Sequence, residues 1–159
     1  QTWSGNRSMS ISEHAASAKS STKLFAVILV IGGAAFYFWL LIWFVPHLSL
    51  GILFTALLTL TFVAQIVTGL IPDSDNWRRK AHRIAAYSMA VLYVPLSLLI
   101  ITCHNTAMSA RAVGIICLTY MVVAATIFLA FKKARAHYLV AQALYIMAFQ
   151  IIILSAAYL

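Results

Sequence analysis

Residues 24–45 read LFAVILVIGGAAFYFWLLIWFV, a run of 22 positions without a charged side chain. A helix rises about 1.5 Å per residue and a bilayer's hydrocarbon core is about 30 Å thick, so about 20 apolar residues cross it. Four further charge-free stretches follow, at 49–71, 84–103, 112–131 and 138–159. Hydrocarbon offers no partner to an open backbone, so a crossing segment must be a helix or part of a closed barrel. None of the five stretches alternates like a barrel strand, and each is about twice as long as the roughly 10 residues such a strand needs. The predicted fold is therefore all-α: an integral membrane five-helix transmembrane bundle. Its helices lie at about 24–45, 49–71, 82–103, 112–131 and 138–159, in one transmembrane domain over 23–159.

The composition agrees. Of the 159 residues, 64% are hydrophobic and 9% are charged, against roughly 45–50% and 25% in soluble domains. A soluble chain this short has too little interior to hide that much apolar surface. A soluble enzyme, a secreted disulfide scaffold and a disordered tail are excluded. Residues 1–22, rich in Ser and Ala, read as a flexible N-terminal extension. They do not read as a signal peptide, because the apolar run behind them is too long.

Lys and Arg total 11 against three acids, a formal net charge of +8. In a soluble protein this excess would point to nucleic acid; here it is first a topology signal. Cytoplasmic loops concentrate cations. Five crossings put Arg7, Lys19, Lys23, Arg78, Arg79, Lys80, Arg83, Lys132, Lys133 and Arg135 on one face, and Arg111 alone on the other. The expected orientation is N-terminus inside and C-terminus outside, in a bacterial cytoplasmic membrane. Pro46-His47-Leu48 and residues 104–111 are then short outer connections. Trp39, Trp43 and Trp77 suit the interfacial aromatic belts.

Within the spans, small residues and polar groups are what hold helices together in lipid. Ala81, Ala85, Ala86 and Ala90 mark a close-packing face on helix three. Thr55, Thr59, Thr61, Gln65 and Thr68 mark helix two, and Gln142 and Gln150 helix five. This polar row serves interhelical hydrogen bonds or lines a small cavity. Pro95 is expected to kink helix three and free the carbonyl of Val91, with Ser88 or Thr102 near enough to help. Apart from Arg83 at the very start of helix three, no acid, Lys or Arg lies inside any span, which weighs against pumps, ion-coupled transporters and voltage sensors. Cys103 and Cys117 read as two inert thiols, with a disulfide as the alternative in an oxidising compartment.

Four histidines sit at the ends of the helices. His47 and His104 fall at the outer edge, His82 and His137 at the inner edge, and paired histidines in a bundle can hold haem b. His82 and His104 are 22 residues apart, about 33 Å along a helix. That spacing puts them at the surfaces, where histidines cap helices or meet headgroups. A metal site from Asp73, Asp75, His82 and His137 is a weaker possibility, and no metal is expected.

The most distinctive stretch is GLIPDSDNWRRKAHR, residues 69–83. Gly69 and Pro72 stop helix two, residues 72–75 carry turn chemistry, and Asp75 or Asn76 can cap helix three. Arg78, Arg79, Lys80 and Arg83 then occupy its first turns, against the helix dipole. Anionic headgroups would compensate them, at about 1 kcal/mol per cation; otherwise they serve only to set the topology. Gly69, Pro72, Asp73 or Asp75, and His82 followed by Ala85 and Ala86, resemble the DUF998 family. That is a group of small multi-pass membrane proteins of unknown function, held to be related to the Frag1/DRAM/Sfk1 proteins. The family has six helices where this chain has five. The resemblance implies a multi-pass bundle and no established reaction. It places His82 at the membrane surface near Asp73 or Asp75, either pinning the loop or meeting a phosphate.

The expected function is a non-enzymatic membrane protein with no cofactor. It would bind lipids, anionic ones through Arg78, Arg79, Lys80 and Arg83, or partner subunits in a homo-oligomer or larger complex. Two alternatives stay open: a haem b electron-transfer subunit using the histidine pairs, and a lipid-modifying enzyme using Asp73, Asp75 and His82.

Overall fold

The computed structural model describes residues 11, 19–71, 76–131 and 137–159. They are helical almost throughout, with no strand among them. Helix α1 is continuous from Lys19 to Leu48, built of α-helical Lys19–Val27, Gly33–Trp39 and Val45–Leu48 joined by two π-helical turns, Ile28–Gly32 and Leu40–Phe44. Then come α2 (Ile52–Leu70), α3 (Asn76–Thr102), α4 (Met108–Ala130) and α5 (Tyr138–Tyr158). All five are long and apolar enough to cross a membrane.

The ends of the helices differ from the sequence expectation in two places. Helix α3 begins at Asn76, where the capping residues put its start and six residues before the start at 82 drawn from the charge-free stretch. A charge-free window cannot see a helix that continues into the polar zone, where Arg and Lys are good helix formers. Pro46 and His47 belong to the last turn of α1 rather than to a connection. Proline has no N–H for the carbonyl four residues back, and its ring crowds that carbonyl. The wide turn Leu40–Phe44 lies directly before it, and the Val45 amide reaches back five residues to the Leu40 carbonyl. The helix thus opens by one residue where the proline would break it. It closes with Ser49 in the left-handed region (φ 55°, ψ 40°). The Ser49 and Leu50 amides donate to the Pro46 and Val45 carbonyls, the closing pattern usually given to glycine.

Helix α3 is central: it packs on α2, α4 and α5, while α1 packs chiefly on α2. A third of the apolar span is buried in α2, α3 and α5, but only 11% in α1 and α4. The outward faces of the spans are covered with large apolar side chains such as Ile42, Ile52, Val91 and Ile116, a surface that suits lipid rather than water. The tightest core joins Phe44, Phe54, Leu96, Ile100, Phe149 and Ile153, toward the end that carries the α1–α2 and α3–α4 connections. There Cys103 Sγ and Asn105 Nδ2 both donate to the Leu48 carbonyl, at 3.0 and 3.2 Å. Cys103 and Cys117 are both free thiols.

Hydrogen bonds between helices are few and specific. Gln65 Nε2 donates to the Leu29 carbonyl across α1 and α2 (3.1 Å). The Tyr37 and Thr59 hydroxyls pair at 2.9 Å. Thr61 and Thr68 instead turn back to the Leu57 and Ala64 carbonyls of their own helix. Much of the threonine row therefore neither ties helices together nor leaves a donor facing a cavity. One residue before the carbonyl that Pro95 frees, Tyr145 Oη of α5 donates to the Ala90 carbonyl at 2.7 Å. Thr102 bonds the Leu98 carbonyl, and Ser88 is exposed.

Candidate functional site

From its first turns α3 divides into two faces. His82, Ala85, Tyr93, Leu96 and Ile100 recur at helical spacing and are buried. Trp77, Arg78, Arg79, Lys80 and Arg83 are exposed, and the exposed side continues along the helix as Ile84, Tyr87 and Val91. Lys80 stands one turn before Ile84, and Arg83 one turn before Tyr87. The basic groups therefore head a stripe of exposed apolar side chains. Trp77 is 65% exposed, with the Arg78 guanidinium 5.6 Å from its ring centroid, a cation–π geometry. An indole beside guanidinium groups at the end of an apolar helix matches what headgroup-level anchors look like.

His82 stands in the first turns of α3 with its side chain turned inward: it is 2% exposed. Its Nδ1 lies 2.7 Å from the carbonyl oxygen of Ile71. A carbonyl only accepts, so Nδ1 carries the proton and donates. The ring therefore binds the last residue of the α2 end to the first turns of α3. Its Nε2 is buried with no hydrogen-bond partner among the described residues. Asp73 and Asp75, expected beside His82, lie outside the described residues, as do Arg7, Lys132, Lys133 and Arg135.

Gly69, next to this contact, has a packing reason. A Cβ there would press on Leu29 and Val30 of α1 at 3.2 and 3.3 Å. Two letters of the distinctive stretch thus do structural work: Gly69 lets α1 approach, and His82 holds the turn.

His47, His104 and His137 are exposed. His47 stacks on Trp43 (centroids 4.7 Å apart), which in turn stacks on Trp39, an aromatic ladder at the end opposite Trp77. His104 lies in the α3–α4 connection, and His137 just precedes α5. Among the described residues no three His, Cys, Asp or Glu side chains gather as a metal site.

Two functional contacts escaped the sequence. Arg111, counted only as the one cation of its face, donates from Nη2 to the Cys103 and His104 carbonyls at 2.8 and 3.2 Å. It caps the negative end of α3. Its position just inside α4, seven or eight residues after those carbonyls, was the available signal. Ile11, within the leading segment, donates its amide to Gln142 Oε1 at 3.1 Å; nothing in the sequence pairs those two positions. No protein family, curated protein or solved structure matches this chain.

Proposed function

We propose that this chain is a small non-enzymatic protein of a bacterial cytoplasmic membrane that binds anionic lipid at the cytoplasmic end of α3. The orientation follows from the cation count, with the Trp77 end inside. The observation that carries the reading is the exposed basic group of α3 standing directly above its lipid-facing stripe. Cations in the first turns of a helix oppose its dipole, and an anionic headgroup offsets that cost. The resemblance of residues 69–86 to the DUF998 family belongs to the same proposal.

The test uses the full chain in nanodiscs with trace spin-labelled phosphatidylglycerol or phosphatidylcholine. Replacing Arg78, Arg79, Lys80 and Arg83 together by Gln is expected to abolish a severalfold preference for phosphatidylglycerol. The same loss is expected in high salt. Equal association of both lipids with the wild type would refute the reading.

A further inference from the structure

Between α1, α2, α3 and α5 lies a cavity of about 30 Å³, bordered among others by Gly33, Tyr37, Thr61, Gln65, Tyr93 and Phe149. This volume exceeds the roughly 10–15 Å³ that one water needs on the same measure. No Asp, Glu, Lys, Arg or His borders it.

Most of the polar atoms around it are already engaged. The Tyr37 hydroxyl pairs with Thr59, the Thr61 hydroxyl donates to Leu57, and Gln65 Nε2 donates to Leu29. Two oxygens remain. Tyr93 is 8% exposed, its ring stacked on Phe149 at 4.0 Å, and no hydrogen bond joins its hydroxyl to a described residue. Gln65 Oε1 likewise has no described partner. The polar atoms sealed off by protein without a partner are His82 Nε2 and Arg111 Nε. Tyr93 Oη and Gln65 Oε1 are not among them, and both residues border the cavity. A buried tyrosine hydroxyl ordinarily finds a partner, and in hydrocarbon bulk water does not supply it.

We infer that this cavity is a binding site for one neutral hydroxyl group, which accepts from Tyr93 Oη and donates to Gln65 Oε1. One donor, one acceptor and no charge select a hydroxyl over a carboxylate, an amine or a bare hydrocarbon. Gly33 is part of the site: a Cβ there would run into the Gln65 amide, so glycine is what lets the amide sit at the cavity wall. The hydroxyl comes either from a held water or from the head of a lipid-soluble alcohol. The aromatic walls Phe36 and Phe62 suit the alcohol's chain, and one wall belongs to α1, a sparsely buried helix. The site is independent of the basic end of α3.

The test titrates 1-decanol and decane into the full chain in nanodiscs and follows the Gln65 side-chain amide by NMR. For a lipid alcohol, decanol binds saturably, decane about tenfold more weakly, and Tyr93→Phe removes that difference; one hydrogen bond accounts for a factor of this size. For a held water, decanol does not saturate, but the Gln65 amide shows cross-relaxation from a long-lived water that Tyr93→Phe or Gln65→Met abolishes. Either result supports the site. Absence of both signals in the wild type overturns it, as does decanol binding or water contact unchanged in Tyr93→Phe. Gln65→Met serves as the second variant if Tyr93→Phe does not fold.

Discussion

Ser49 holds a left-handed backbone (φ 55°) where α1 turns into α2. For a residue with a Cβ that conformation costs about 1–2 kcal/mol, part of which glycine returns as lost chain entropy. Ser49→Gly is therefore expected to raise stability by about 0.5 kcal/mol, read as a higher unfolding midpoint in mixed micelles; a lower midpoint would contradict the Schellman closure at Leu48. His82 makes the opposite case. Its hydrogen bond to Ile71 joins two helix ends, and His82→Ala would leave the Ile71 carbonyl without that donor and open a void. The expected loss is about 2–3 kcal/mol, with faster hydrogen exchange confined to residues 68–72 and the start of α3. Uniform exchange across the bundle would contradict the pinning role. The inward turn of this side chain was not legible in the sequence. A histidine among four cations reads as a surface residue, and only the helical register from His82 through Tyr93 to Ile100 shows that it heads the buried stripe.

At the scale of elements, the five spans were legible because hydrocarbon leaves no alternative to long charge-free helices. Their ends were not. Outside the hydrocarbon, charged residues continue a helix freely, so α3 extends back through Arg83, Lys80 and Arg78 to Asn76. Pro46 reads as a stop, yet a π turn absorbs it; the length of the preceding turn is a property of packing that no residue spells out. The partner of Gln65 was equally hidden, since its seat against Gly33 and Leu29 depends on how α1 and α2 are aligned. That seat gives a direct test. Gly33→Ala is expected to displace the Gln65 amide and cost about 1–3 kcal/mol. The double variant Gly33→Ala with Gln65→Ala is expected to recover part of the loss, because the small side chain removes the clash. Additive losses measured in such a cycle would show that the two residues do not meet.

The whole molecule is a bundle with two unlike ends. At one, Arg111, Cys103 and Asn105 spend their donors on backbone carbonyls, and the tight core lies close by. At the other, Arg78, Arg79, Lys80 and Arg83 are exposed around Trp77, at the head of an exposed apolar face. Of the 11 cations, Arg111 serves in capping, and the four of the α3 cluster face outward beside the apolar stripe. Our account makes that cluster a recognition surface for anionic headgroups. The most direct measurement is a native mass spectrum of the full chain released from bacterial membranes in mild detergent. Retained phosphatidylglycerol or cardiolipin adducts are expected on the wild type and their loss on the fourfold Gln variant. Adducts of phosphatidylethanolamine alone, a mass increment of haem, or anionic lipid retained equally by the variant would contradict the account.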